Sequence, residues 1–151
     1  MEVRMYKPED SVAVKDLILS ILEKEYPFDR SAYQDSDIND ISGTYSGRDS
    51  VFFVIEENGK VIGTIGVKKD APESALMRRF FVDTNYRKKG LGSMLLEKAV
   101  EFCKSKKYKE ISFRATDRMG EAMKLCKKKG FEEKDDLEVS GFHIHRFVLK
   151  I

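Results

Sequence analysis

The sequence of 151 residues has little of what small proteins use as cross-links or as membrane anchors. It has two cysteines, Cys103 and Cys126, and they are far apart in the chain. This spacing disfavours both a disulfide framework and a structural cysteine–zinc site, and the residues predict no metal ligand set. Its longest apolar runs, such as VFFVI at 51–55, are much shorter than the roughly 20 residues of a membrane-spanning helix.

The chain also lacks a large excess of charge of either sign. It has 28 Lys and Arg against 26 Asp and Glu, so the overall charge does not demand a polyanionic partner. The first ten residues, MEVRMYKPED, contain no apolar core, so we expect no secretory signal. The 41% of hydrophobic residues is enough for a core. We therefore expect one soluble, cytoplasmic domain over residues 1–151.

The apolar pattern predicts strands in the first half of the chain and a strand–helix–strand unit in the second half. Residues 50–67 form a predicted hairpin, because two β-rich runs flank the turn residues Asn58 and Gly59. Helical spacing predicts a helix after Pro8, another from about Gly90 to Lys107 and a third that stops at Lys129–Gly130. Further predicted elements are a short helix near 37–45 and strands at 74–82, 109–116 and 141–151.

The segment NYRKKGLGSMLL, residues 85–96, combines three cations with two glycines at the start of a predicted helix. The first amides of a helix have no internal partner, and the helix dipole adds a partial positive charge there. Glycine lets the backbone approach an anion closely, so the segment suits a phosphate or pyrophosphate. It is neither a Walker A loop nor a dinucleotide fingerprint, because the required Gly-Lys-Ser/Thr and third glycine are absent. A tight turn with solvated cations is the alternative from the residues alone.

The longer stretch FFVDTNYRKKGLGSMLLEKAVEFC resembles the cofactor motif of the GNAT superfamily of acetyl-CoA-dependent N-acetyltransferases. That motif is an apolar strand ending in Val-Asp, then Tyr-Arg, then Arg/Gln-x-x-Gly-x-Gly/Ala opening a long helix. AMKLCKKKGF also matches the ending of the family's fourth helix, except that Cys126 replaces a tyrosine. The resemblance covers most of the chain. It implies the α+β fold class, with a central mixed, mostly antiparallel sheet of six to seven strands and about four flanking helices.

The resemblance also implies acetyl-CoA as the co-substrate and a set of residues that bind it. The strand end would run beside the pantetheine arm, and the loop amides would hold the pyrophosphate, next to the leading cation of the motif. The implied cofactor-binding residues are Phe80, Phe81, Val82, Arg87, Lys88, Lys89, Gly90, Leu91, Gly92 and Ser93. The side chains of Phe80 and Phe81 are also candidates for core packing, which does not exclude a backbone role.

Candidates for proton transfer follow less directly from the resemblance. Cys126 occupies the position of the tyrosine that protonates the departing thiolate, but it shares an apolar stripe with Met119, Ala122 and Met123, and a small buried cysteine in the core is the alternative. Glu73 is the carboxylate nearest the strand before the loop, and an exposed loop acid is the alternative reading of it. His143 and His145 lie two residues apart on the last predicted strand, and water is a further candidate base.

Charge along the chain is uneven and suggests where two ligands bind. Residues 85–130 contain 14 Lys and Arg against 5 Asp and Glu. Residues 23–40 are acidic, as is the predicted loop EEKDDLE at 132–138. A basic side for the cofactor and an acidic side for an amine would steer both ligands, although charged runs also occur on solvated faces. In the family, the acceptor pocket involves the segment after the first helix, which here carries Tyr26, Tyr33 and Tyr45.

Three functions remain open from the sequence. The first is an N-acetyltransferase acting on a primary amine of a small molecule, an amino-acid derivative or a peptide or protein, with a homodimer possible. The second is an acetyl-CoA-binding sensor or interaction module with little transfer, because the family's tyrosine is absent. A nucleic-acid binder using the lysines of residues 124–129 is the third, and no recognisable binding fold accompanies those lysines.

Overall fold

A single seven-stranded sheet organises the protein in the computed structural model, which describes residues 1–25, 37–139 and 141–151. The spatial order is β1-β2-β3-β4-β5-β7-β6, and only the β4–β5 pair is parallel. The strands are β1 (Val3–Met5), β2 (Val51–Glu57), β3 (Lys60–Ala71), β4 (Ser74–Val82), β5 (Glu110–Thr116), β6 (Glu132–Val139) and β7 (Phe142–Lys150). The helices are α1 (Ser11–Glu25), α2 (Ile41–Thr44), α3 (Leu91–Ser105) and α4 (Gly120–Lys128). The predicted α+β fold is confirmed.

Helices cover both faces of the sheet. On each face, a hydrophobic cluster lies between the helices and the strands. Helices α3 and α4 pack on one face, where Phe53 and Ile55 of β2 point. Helices α1 and α2 pack on the other face, against Phe52 and Val54 of the same strand. Because successive strand residues point to opposite faces, a strand covered on both sides needs the unbroken apolar run found in β2. No helix in the described ranges is both long and apolar enough to cross a lipid bilayer.

Local turn chemistry agrees with the predicted boundaries. Asn58 and Gly59 have φ of 51° and 82°, the positive values that a two-residue primed hairpin turn requires. Helix α4 ends at Lys128, and Gly130 has a φ of 99°, as expected for a residue that stops a helix. The predicted short helix at 37–45 is reduced to the single turn of α2. Asp40 is the N-cap residue of this turn, and its side chain accepts a hydrogen bond from the Gly43 amide.

The acidic segment 132–138 is not a loop, so this prediction was wrong. These residues form most of β6, which pairs antiparallel with β7 at the edge of the sheet. All of the side chains from Glu132 to Glu138 are exposed, so the strand keeps its charges in water. An edge strand rich in charge also resists pairing with other molecules. Pairing with β7, rather than the intrinsic preference of acidic residues, therefore determines its conformation.

Candidate functional site

Strands β4 and β5 separate at one end of the sheet and leave an open edge. They are paired from Ser74–Glu110 to Met77–Phe113, and beyond that point the described residues show no further β4–β5 pairing. Strand β4 nevertheless continues to Val82 and β5 to Thr116. The last residues of β4 therefore keep β3 as a partner on one side only, and the loop that leads to α3 begins directly after them.

A bulge in β4 explains why the two strands part. Four residues of β4, from Arg78 to Phe81, lie opposite three residues of β3, from Thr64 to Gly66. Arg79 takes up the extra length with a φ of 53°, which is unfavourable for a residue with a side chain. The Thr64 hydroxyl donates a 2.7 Å hydrogen bond to the Arg79 carbonyl and holds the bulge in place.

The Arg79 side chain is buried on the α1 side of the sheet, where it meets Asp37. Its Nε and Nη2 atoms donate to the two carboxylate oxygens at 2.9 and 2.6 Å, and both side chains are 2% exposed. The Tyr45 hydroxyl donates a further 2.8 Å hydrogen bond to Asp37. Burial tends to raise the pKa of Asp37, but hydrogen bonding and positive charge from Arg79 outweigh it and hold the pKa below its usual value. Burial, with the neighbouring Asp37 charge, raises the pKa of Tyr45.

The loop after β4 leaves a run of backbone amides without backbone acceptors at the start of α3. Lys88 and Gly90 both lie in the left-handed region, with φ of 61° and 80°. Gly90 is the N-cap residue, no side chain caps the helix, and its first turn contains no acidic residue. Within the described part of the chain, no backbone carbonyl accepts from the amides of residues 88–93. Amides without a backbone acceptor, the helix dipole and the exposed Lys88 and Lys89 together suit the binding of an anion.

Arg87 links this loop to the end of α1. Its two terminal nitrogens donate to the Glu25 carboxylate at 2.5 and 2.7 Å, and its Nε donates to the Val82 carbonyl at 3.1 Å. The guanidinium therefore ties β4, the loop and α1 together. The leading cation of the motif thus has a positioning contact, and Glu25 is a site residue that the sequence analysis did not find.

The predicted strand residues Phe80, Phe81 and Val82 occupy the end of β4 that is not paired with β5. Phe80 packs edge-to-face on Phe113 in the α3-side cluster, and Phe81 packs in the α1-side cluster. The Asp83 amide donates to the Ile62 carbonyl of β3 at 2.8 Å. Because backbone groups alternate in direction along a strand, the amide of Val82 points to the opposite, open edge.

Two glycines of the loop differ in what surrounds them. A Cβ added to Gly90 would meet no atom within 4 Å, so only its backbone conformation favours glycine. A Cβ on Gly92 would lie 3.0 Å from Leu125 of α4 and 3.7 Å from Phe80. The neighbouring Leu91 is buried in the core. The start of α3 is thus packed against both α4 and the end of β4.

Cys126 lies in the core rather than on a surface of the site. Its side chain is fully buried, in the cluster that also contains Phe131 and Phe147. Burial raises the pKa of the Cys126 thiol to about 12, and the same cause raises that of Cys103 to about 12. Both thiols are therefore almost entirely protonated at neutral pH. This environment agrees with the interpretation of Cys126 as a residue of the hydrophobic core. A catalytic role for Cys126 stays a prediction.

Glu73 and the anion-binding loop are at opposite ends of β4. Glu73 precedes Ser74, and at about 3.3 Å per residue it lies roughly 30 Å from Val82 along the strand. Its exposed carboxylate forms a 3.3 Å ion pair with Lys109. The structure does not bring Glu73 together with the other predicted site residues, and its role as a general base stays a prediction that this distance disfavours.

The acidic segments and the histidines fall in several places. Tyr26 and Tyr33 lie outside the described residues, and Tyr45 is buried on Asp37. His143 and His145 form a tilted pair on β7, with ring centres 4.4 Å apart, and both contact Asp117 after β5. Of the three tyrosines predicted for the acceptor pocket, Tyr45 is the one within the described residues, and it is buried in the core.

Comparison with known proteins identifies the family. The chain is 26% identical over 120 residues to "Probable N-acetyltransferase camello" of Xenopus tropicalis, covering 78% of this chain but 54% of that protein. The fold matches an acetyltransferase of Streptococcus agalactiae 2603 with a TM-score of 0.87, at 23% identity over 99% of this chain and 98% of that one. It also matches a Bacillus anthracis strain Ames structure in complex with acetyl coenzyme A, with a TM-score of 0.66, at 19% identity over 73% and 68% of the two chains.

The decisive match is to the sequence model described as the acetyltransferase (GNAT) family, which covers residues 15–131. This range runs from α1 to the residue after the glycine that ends α4, so it includes β4, the anion-binding loop and α3. The resemblance stated from the motif is therefore confirmed, and the chain belongs to the acetyltransferase (GNAT) family.

Proposed function

We propose that this protein is an N-acetyltransferase that moves the acetyl group of acetyl-CoA to a primary amine of a small molecule, an amino-acid derivative or a peptide or protein. One observation carries the proposal above the others. The amides of residues 88–93, which have no described backbone acceptor, lie at the start of α3, beside the end of β4 that has no β5 partner. A related fold from Bacillus anthracis was solved with acetyl coenzyme A, which supports the choice of ligand.

The residues of the loop fit the diphosphate of the coenzyme. Six consecutive residues, 88–93, offer amides without a described backbone acceptor, and the αL conformation of Gly90 leaves open space where a Cβ would be. Lys88 and Lys89 add positive charge at the same place. Arg87 acts by holding the loop to Glu25 and to the Val82 carbonyl, so it is a positioning residue in this proposal.

The end of β4 would hold the reacting end of the coenzyme. When bound, acetyl-CoA supplies an acetyl thioester that an amine can attack. The amide of Val82 faces the open edge and is available as a donor to an oxygen that gains negative charge there. Removing one such donor in other enzymes costs about 10²–10³ in rate, which makes Val82 the backbone contact with the most to contribute.

Proton transfer is proposed to depend on water more than on a dedicated side chain. Cys126 is fully buried with a raised pKa, and Glu73 is roughly 30 Å along β4 from Val82. Neither is suited to exchange protons with a group at the open edge. A thiolate is already a fair leaving group, so the absence of the family's tyrosine is compatible with transfer.

A thiol-release assay tests the proposed function directly. The protein is mixed with acetyl-CoA and a panel of primary amines, and free CoA thiol is detected as it forms. The two buried protein thiols should contribute little background. We expect at least one primary amine to increase thiol release, whereas its N,N-dimethyl analogue should not. Saturable CoA binding with no amine-dependent release would instead favour a binding module.

The variants Cys126→Ala and Glu73→Gln test the two residues that the family resemblance offered for proton transfer. Because one is buried and the other distant, we expect both variants to keep turnover within about twofold of the parent across the pH range. General acid or base catalysis typically contributes about 10²–10⁴ in rate. A loss of that size in a variant that still binds CoA would assign the altered residue to catalysis and contradict this part of the proposal.

A further inference from the structure

Two histidines and three carboxylates converge on the α4 side of the sheet, at the end of β5 where β5 is no longer paired with β4. His145 pairs with Ala115 of β5, and His143 lies two residues earlier on the same face of β7. Asp117 follows β5, whereas Glu133 and Asp136 come from β6. Three separate segments of the chain therefore contribute to one cluster. The His145 side chain is 16% exposed and the Asp117 side chain is 64% exposed. The cluster is therefore largely buried at His145 and open to solvent at Asp117.

Each imidazole has one nitrogen towards Asp117 and the other towards a carboxylate of β6. His145 Nε2 is 2.5 Å and His143 Nδ1 is 3.2 Å from the same oxygen, Asp117 Oδ1. On the far sides, His145 Nδ1 is 3.1 Å from Glu133 Oε2 and His143 Nε2 is 3.3 Å from Asp136 Oδ2. In each ring, the nitrogen that does not face Asp117 therefore contacts a carboxylate of β6, and this contact fixes the orientation of the ring. Metal-binding histidines usually have such an outer partner.

The three inward atoms lie close enough together to be candidate ligands of one small cation. One ligand atom each from Asp117, His143 and His145 lies within 4.8 Å of the other two. Tetrahedral Zn²⁺ with bonds of about 2.0–2.1 Å places its ligand atoms about 3.3 Å apart. The 2.5 Å contact between His145 Nε2 and Asp117 Oδ1 would have to lengthen to admit an ion, and the Asp117 carboxylate that would move is exposed and lies outside the strands.

Charge favours a cation at this place as well. With neutral imidazoles, Asp117, Glu133 and Asp136 bring three negative charges to the cluster. The cation next to His145 on β7, Arg146, is engaged by Asp135, because its Nε and Nη2 donate to that carboxylate at 3.1 and 3.2 Å. A divalent ion would offset most of this local negative charge.

We propose that Asp117, His143 and His145 form a three-ligand site for Zn²⁺ or a similar divalent transition metal, with Glu133 and Asp136 orienting the two imidazoles. Two imidazoles and a carboxylate suit this class of ion, and three protein ligands leave a position for water. The site would fasten the β6–β7 hairpin to the segment between β5 and α4. It does not depend on the proposed acetyl transfer, and it differs from the metal-free expectation drawn from the cysteine pattern.

Metal titration of the whole chain without a polyhistidine tag tests the proposal. Co²⁺ serves as a spectroscopic probe, because its visible absorption reports low-symmetry coordination, and Zn²⁺ is then added in competition. We expect one Co²⁺ per chain, displacement by an equal amount of Zn²⁺, and a rise in melting temperature with added Zn²⁺. A chain that shows neither Co²⁺ absorption nor a Zn²⁺-dependent melting shift would overturn the proposal.

Variants locate the metal within the cluster. His145→Gln and His143→Gln should each weaken Zn²⁺ binding by at least about 100-fold, and Glu133→Gln by about 10- to 100-fold, the usual cost of losing an outer partner. Glu132→Gln is the matched control on β6, because its carboxylate pairs with Lys134 instead, and it should bind as the parent does. If His145→Gln fails to fold, the more exposed His143 and Glu133 still provide the test. Unchanged affinity in both His143→Gln and Glu133→Gln would overturn the assignment.

Discussion

Replacing Gly90 with valine is expected to weaken CoA binding by about 5- to 30-fold. Gly90 has a φ of 80°, and a residue with a Cβ pays about 1–2 kcal/mol to stay in that region. Each 1.4 kcal/mol is a factor of ten in affinity, and a β-branched residue belongs at the upper end of the range. The variant loop would relax when free, so CoA would have to restore the conformation that presents the amides of residues 88–93. Isothermal titration with CoA measures the change.

Gly47→Val is the matched control for this experiment. Gly47 has a φ of 90° in the turn before β2, and a Cβ added there also meets nothing within 4 Å. The two substitutions therefore impose similar backbone strain without a steric clash. We expect Gly47→Val to lose stability but to bind CoA with the affinity of the parent. Equal CoA affinity in Gly90→Val and Gly47→Val would mean that the Gly90 conformation does not serve the coenzyme.

Asp37→Asn is expected to destabilise the fold by about 3–5 kcal/mol, the usual cost of breaking a buried ion pair by removing one partner. Asp37 and Arg79 are each 2% exposed, and the neutral amide would leave the Arg79 charge without its carboxylate. In a chain of this size each kcal/mol corresponds to about 2–4 °C, so the melting temperature should fall by roughly 6–20 °C. Denaturant unfolding at neutral pH measures the free energy directly.

The exposed Asp49 provides the control, because its carboxylate is 55% exposed and 3.9 Å from Lys69. Asp49→Asn should change the free energy of unfolding by less than about 1 kcal/mol. A loss in Asp37→Asn no larger than this would show that the buried pair does not stabilise the bulge of β4.

The pH dependence of the Asp37→Asn effect has a definite sign. The pKa of Asp37 is lower in the folded chain than in the unfolded chain. Its carboxylate therefore contributes fully above the unfolded value of about 3.9, and the contribution is lost as the pH falls through the folded value. The gap between the parent and Asp37→Asn should be constant near neutral pH and should shrink in acid below about pH 4.

Strong local signals made much of the fold predictable from the sequence. The β2–β3 hairpin has β-rich runs on both sides of Asn58 and Gly59, and both of these residues have the positive φ that a primed turn requires. The start of α3 was equally visible, because two glycines follow a block of cations and precede a helical apolar stripe. Such features depend on a few neighbouring residues, so no knowledge of the tertiary structure is needed to read them.

Features that depend on contacts between distant segments were not predictable. The carboxylate that holds Arg87 belongs to Glu25, 62 positions away, and the partner of Arg79 is 42 positions away. The bulge that opens the site occurs at an arginine with positive φ, for which the local sequence gives no signal. Pairing with β7 likewise overrides the weak strand preference of the acidic β6.

The central claim is that the amides between Lys88 and Ser93 bind the diphosphate of the coenzyme beside the open edge of β4. Titration of ¹⁵N-labelled protein with CoA, followed by amide chemical shifts, tests it most directly. We expect saturable shifts that are largest for residues 88–93, with Val82 also affected. Saturable binding that leaves all of these amides unshifted, and moves a different part of the chain, would contradict the account.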